Sequence, residues 1–224
     1  MIIPAKMQKF LDEVVYPVNP NFKIKNKGQK SGVYAFLSFF GKLFNPKIDT
    51  NYITVLSGEC WYPASYFDES GNFKESHAEG AIQIMAHETM HEYDRKRLGS
   101  FLYTMMYASP QILALLALGA IGAIWSPWWL LCLLFLLLLA PIPSPGRAYI
   151  EIRGYRVNMM LERMRAEYSD PQGYAEWAAN TQFCSAAYFF MFPFKSYVVG
   201  KLLETEYEKE EIYSKIKKWF ELNP

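Results

Sequence analysis

Between Leu98 and Gly146 the chain carries no charged residue, and no other feature restricts its fold as strongly. The most apolar parts are two runs, Ile112 to Trp125 and Trp128 to Ile142, separated by Ser126-Pro127. Proline lacks the backbone N–H and disfavours helix in the residue before it, so this pair marks a tight turn. A single helix through both runs is too long for a hydrocarbon core of about 30 Å; each run alone is somewhat short, although Phe101 to Tyr107 can extend the first. The pattern predicts a shallow helical hairpin over residues 99–145. Trp125, Trp128 and Trp129 fall at its tip, and indole rings favour membrane interfaces. Arg95, Lys96 and Arg97 precede the hairpin and Arg147 follows it, which by the positive-inside tendency puts both ends on the cytoplasmic side of a lipid bilayer. The alternative environment is the interior of a homo-oligomer or a larger assembly.

Hydrophobic residues make up 51% of the chain, yet the mean hydropathy is −0.05, so the rest is polar enough for a folded domain. A net charge of +1 provides no electrostatic footprint for nucleic acid, which is excluded as a partner. The N-terminal Met1 to Lys6 is followed by Lys9, Asp12 and Glu13, without the apolar run of a secretory signal peptide. Cys60, Cys132 and Cys184 are odd in number and far apart, which suits buried, inert thiols rather than a disulfide framework or a C-x-x-C metal site.

Pro4 to Val15 has Met7, Phe10, Leu11, Val14 and Val15 at helical spacing and ends before Pro17. Asn21 to Lys25 alternates as an exposed strand. The aromatic segment Val33 to Phe44 suits either core packing or a membrane surface. Asn51 to Leu56 reads as a strand and Trp61 to Phe67 as a second, interrupted one, which Pro63 assigns to a sheet edge. By itself such a strand is part of an ordinary hairpin. Ser76-His77-Ala78-Glu79 matches the capping box S-x-x-E, so a long helix is expected from near Ser76 to about Leu98, where Gly99 stops it.

That helix carries Ala86-His87-Glu88-Thr89-Met90-His91-Glu92, which contains H-E-x-x-H and uses two of the three histidines in the chain. Residues four apart share a helix face, so both imidazoles can close on one metal ion with Glu88 beside the open position. His77 lies ten residues before His87 and is expected at the surface near the helix start. Asp94 is about 10 Å along the axis from His87, too far for a shared ion, and is read as a supporting partner or a solvated charge.

The stretch resembles the signature of the zincin metallopeptidases. By that resemblance His87 and His91 ligate Zn²⁺, and Glu88 is the general base that takes a proton from the zinc-bound water. Arg97 stands where metzincins place a third histidine, so the third ligand lies elsewhere. After the hairpin, Arg147, Glu151, Tyr155, Asn158 and Glu162 share one helix face. Gluzincins take their third ligand, a carboxylate, from a second helix, which by resemblance is Glu151. The order of metal helix, hairpin and glutamate helix, over roughly residues 50–165, is similar to the membrane-embedded gluzincins that include the CAAX prenyl proteases and the bacterial heat-shock membrane proteases. Their E-x-x-A-D stands here as Glu151-Ile152-Arg153-Gly154-Tyr155. Tyr155, Arg147 and Arg153 are the candidates to stabilise an oxyanion, with Tyr155 as the catalytic choice.

The fold expected over residues 1–224 is thus α+β: a single zincin-like metallopeptidase domain, mostly helical with a small N-terminal sheet, interrupted by the hydrophobic hairpin. The expected function is a membrane-associated zinc metalloendopeptidase acting on a peptide or protein substrate at the cytoplasmic face. The competing function is a non-catalytic, membrane-inserting component of a larger assembly such as a phage particle or secretion machine. Such a component has no structural use for Glu88.

Overall fold

The computed structural model describes residues 1–29, 34–35, 38, 49–50, 53–56, 58–140, 142–164, 169–185 and 191–224. Most of the protein is helical, with one three-stranded sheet near the N-terminus, an α+β composition. The chain groups into two compact units: Met1–Tyr93 with Lys218–Pro224, and Asp94–Lys217.

In the first unit α1 (Ala5–Phe10) runs on into a π-helical turn, Leu11–Val15. The five apolar positions predicted for its inner face, Met7, Phe10, Leu11, Val14 and Val15, are all buried. Full burial of such side chains contributes at most about 1.5–3 kcal/mol each. Phe10 meets Trp219 edge-on at 4.8 Å, and Lys6 and Lys9 donate to the Pro224 carbonyl and the Asn223 side chain, which fastens the C-terminal residues here.

The sheet comprises β1 (Lys23–Asn26), β2 (Thr54–Leu56) and β3 (Glu59–Tyr62), in the order β1-β3-β2. β3 pairs parallel with β1, Lys23 opposite Glu59, and antiparallel with β2, Thr54 opposite Trp61. The strand expected at a sheet edge is therefore the central one. Pro63 does not mark an edge; it ends β3, and Ala64–Tyr66 continues as a 3₁₀ turn. Between β2 and β3, Gly58 adopts φ +81°, and a Cβ there would lie 2.6 Å from Asn19 Nδ2, so the turn requires glycine. Of the aromatic segment Val33–Phe44, only Tyr34, Ala35 and Ser38 are described, and the remainder lies outside the described residues. Tyr34 stacks on Trp61 at 4.5 Å.

Glu75–His77 forms a 3₁₀ turn, and α2 (Ala78–Leu98) follows. Ser76 thus sits inside that turn rather than at the cap of the α-helix, and Glu79 pairs with Lys6 at 3.1 Å. Ala81, Ile82, Met85, Ala86 and Met90 form the buried face of α2. Tyr62 Oη donates to the Ala81 carbonyl at 3.4 Å and so joins β3 to the helix.

The second unit contains α3 (Ser100–Ala108), two 3₁₀ legs (Gln111–Ile124 and Pro127–Leu139), α4 (Pro145–Met164), α5 (Pro171–Ala178), α6 (Lys195–Leu203) and the start of α7 (Glu211–Leu222). Its core is formed by Ala148, Ile152 and Met159 of α4, Ala175 and Ala178 of α5, Val198 and Leu202 of α6, and Phe183. Asp170 caps α5 by accepting from Gly173 N at 2.9 Å, with Pro171 in the first position.

The two legs form the expected hairpin, turning at Ser126-Pro127. They pack on each other through Gly122, where a Cβ would lie 2.6 Å from the Trp129 ring, and their outer surfaces, including Leu118, Ile121, Ile124 and Leu137, are exposed. α3 does not extend the first leg. It lies at 89° to it, because Ser109 is extended and Pro110 cannot continue the hydrogen-bonded ladder. Among the described residues no single helix is long and apolar enough to cross a membrane, although α3 and the first leg meet that test together. At a 3₁₀ rise of about 2.0 Å per residue, legs of fourteen and thirteen residues reach roughly 28 and 26 Å.

Candidate metal centre

On α2 the helical period brings His87 and His91 onto one face, adjacent to the one that packs in the core. Both are buried, and their rings meet at 80° with centroids 4.7 Å apart. The two Nε2 atoms face each other at 3.0 Å. Ligand atoms of His87, Glu88 and His91 all lie within 4.8 Å of one another. Two nitrogens on a tetrahedral zinc, each about 2.0–2.1 Å from the ion, stand roughly 3.3 Å apart, so the imidazoles need to move by only tenths of an ångström to share one ion. The residues present fit the metal.

Hydrogen bonds and packing hold this part of the helix in place. Thr89 is fully buried, and its hydroxyl is satisfied by the Met85 carbonyl at 2.7 Å. Asn19 Nδ2 donates to Glu92 Oε2 at 3.0 Å, and Gly58 leaves room for that side chain. β3 brings Cys60 and Tyr62 within electrostatic reach of Glu88. Burial is the main cause that pushes the Cys60 thiol and the Tyr62 phenol above their ordinary values, and the Glu88 carboxylate adds to both shifts. Cys60 is thus the buried, inert thiol expected, whereas Cys132 and Cys184 are only partly buried. His77 stacks on Tyr66 at 4.4 Å, in keeping with its exclusion from the ligand set.

The other residues singled out from the sequence belong to the second unit. Glu151 is half-buried on α4, and its Oε1 accepts from Tyr107 Oη of α3 at 2.7 Å. The Arg147 guanidinium lies 5.2 Å from the centroid of the Tyr107 ring. Tyr155 packs its ring against Phe183 at 5.5 Å. Arg153 is committed elsewhere: its Nε donates to both oxygens of Asp94 at 3.0 and 2.7 Å, and its terminal nitrogens to Glu210 at 3.0 and 2.9 Å. Asp94 is fully buried, not a solvated charge. Tyr107 was not singled out by the sequence reading, since nothing in an uncharged aromatic run distinguishes one phenol from its neighbours.

No family model matches the chain, and no curated protein or solved structure matches it.

Proposed function

We propose that the protein is a membrane-associated zinc metallopeptidase that hydrolyses peptide bonds. The observation carrying this reading is the pair of buried imidazoles with Nε2 atoms 3.0 Å apart and the Glu88 carboxylate beside them. Neutral imidazoles converging in this way suit a borderline-soft divalent cation, and the direct succession of His87 and Glu88 keeps the carboxylate next to the ion. Glu151 is proposed as the third ligand from the order of elements in the sequence. The hydrogen bond from Tyr107 supports that role, because ligating carboxylates are commonly oriented by such a donor.

Zinc bound there would acidify a water molecule and polarise the scissile carbonyl. Glu88 removes the proton from the attacking water and then hands it to the departing amide nitrogen. Neutral imidazoles at His87 and His91 would hold the ion without cancelling its positive charge. Tyr155 is retained as the proposed oxyanion donor, a role for which no further histidine is left.

The membrane reading is supported by the exposed apolar hairpin. Legs of roughly 28 and 26 Å approach the thickness of a hydrocarbon core of about 30 Å, and Trp125 and Trp128 at the tip are 79% and 77% exposed. Both ends are proposed to be cytoplasmic. The test is a proteome-wide comparison of cleavage ends in cells expressing wild type and Glu88→Gln, alongside the metal content of each. Cleavage ends lost in a variant that retains zinc support the peptidase. Indistinguishable proteomes with zinc bound favour the non-catalytic assembly component.

A further inference from the structure

The second unit has a cavity of about 380 Å³ within the size range of small-molecule sites, and the metal chemistry makes no use of it. Its wall starts at Pro145, the first residue of α4, shortly after the second leg ends at Leu139. The connecting residues are fastened: Ser144 N donates to the Met191 carbonyl at 2.8 Å, and Gln111 Nε2 donates to the Ile142 carbonyl at 3.3 Å. Met191 precedes Phe192, another wall residue, so the cavity lies at the level where the hairpin leaves the unit.

The lining is divided by chemistry. Ala148, Ile152 and Phe192 supply apolar wall, whereas Arg156 and Lys201, also in the lining, both pair with Glu204. Two cations thus face one carboxylate, and the ammonium of Lys201, whose side chain is 40% exposed, keeps donors for a further anion. Arg97, outside the lining, brings a third cation close by donating to Oη of the lining residue Tyr149 at 3.2 Å. Tyr149 and Tyr197 of the lining are 44% and 52% exposed, and neighbouring Phe194 is 64% exposed. Exposed aromatic rings beside cations, at the root of an apolar hairpin, are the composition of a membrane interface.

We propose that this cavity seats the phosphate headgroup of an anionic phospholipid. The phosphate lies against Lys201 and Arg156, and the glycerol end lies against Ile152 and Phe192. The proposal rests on the reading that the hairpin enters a bilayer, and it adds a lipid preference that the hairpin alone does not provide. The shared chemistry is a phosphate ester, available from a lipid or from a soluble compound.

The experiment is flotation of the full-length chain with phosphatidylcholine vesicles, with and without phosphatidylglycerol. Wild type is expected to bind both, and more tightly when phosphatidylglycerol is present. Lys201→Gln should lose about fivefold of that gain, the usual weight of one cation at an anionic surface, and Lys201→Arg should recover it. Lys209→Gln removes the same charge from a side chain that is 77% exposed and outside the cavity, and should bind as wild type does. Equal losses in Lys201→Gln and Lys209→Gln would reduce the effect to general surface charge and overturn the site. Stabilisation by inorganic phosphate alone, abolished in Lys201→Gln and with no phosphatidylglycerol preference, would assign the cavity to soluble phosphate and overturn the lipid. Failure to float with either vesicle removes the membrane reading and this proposal together, whereas equal affinity for both vesicles removes the headgroup site alone.

Discussion

Replacing Asp94 by alanine removes one half of a buried ion pair and tests what holds the second unit together. Arg153 is 3% exposed and Asp94 not exposed at all, and they are joined by two hydrogen bonds at 3.0 and 2.7 Å. Glu210 lies on the other side of the guanidinium at 3.0 and 2.9 Å and is itself 39% exposed. Burial alone would lower the affinity of Arg153 for its proton, but the hydrogen bonds it donates to Glu210 and Asp94 more than reverse this, so the residue stays charged. Asp94→Ala therefore leaves a buried cation with one partly solvated partner, a change that costs about 3–5 kcal/mol. Asp94→Leu combined with Arg153→Met removes both charges and should return most of that loss, since apolar replacement of a buried pair is often close to neutral. Urea unfolding of the two variants and wild type, read by circular dichroism in one detergent, measures the difference. An Asp94→Ala variant within about 1 kcal/mol of wild type, or a double variant no better than the single one, would refute the reasoning.

Acid should act through Glu210. The hydrogen bond from Arg153 is the largest cause holding its carboxyl below the ordinary 4.5, so its stabilisation is full above pH 4.5 and is lost as pH falls through the folded-state value. Asp94 has the opposite sign: burial raises it above 3.8 despite Arg153, so its contribution declines as pH rises through its folded-state value. Glu210→Gln should accordingly flatten the acid limb of a melting-temperature profile below pH 4.5, and an unchanged limb would contradict the assignment. Tyr107→Phe removes the donor to Glu151 and should weaken zinc binding by about 10–100-fold in a chelator competition; unchanged affinity would argue against Glu151 as a ligand. In sealed vesicles, residues before Arg97 and after Arg147 should be cut by protease from the same side, and cleavage from opposite sides would eliminate the hairpin.

The parts of this fold that repeat with a local period were legible in the sequence. Met7, Phe10, Leu11, Val14 and Val15 define a buried helical face, His87 and His91 meet because they are four residues apart, and Ser126-Pro127 marks the turn between the legs. The misreadings arose where the outcome depends on partners distant in sequence or on where an element stops. β3 looked like an edge strand because Pro63 was counted inside it; once the strand ends at Tyr62, it is free to pair on both sides. For Asp94 the sequence leaves a supporting partner and a solvated charge open, because its partner Arg153 lies 59 residues away on another helix. α3 looked like an extension of the first leg, since hydropathy does not record the direction change at Ser109-Pro110. Tyr107 became visible only when α3 and α4 placed its hydroxyl against Glu151.

Whether His87 and His91 hold a catalytic zinc ion served by Glu88 is decided by metal analysis of three purified proteins. Wild type and Glu88→Gln should each contain one equivalent of zinc, and His91→Ala little. Glu88→Gln should in addition lose peptide cleavage by about 10² to 10⁴, the usual weight of a general base. A wild-type chain that takes up no zinc under conditions in which it is folded, or one whose zinc survives His91→Ala, would contradict the account.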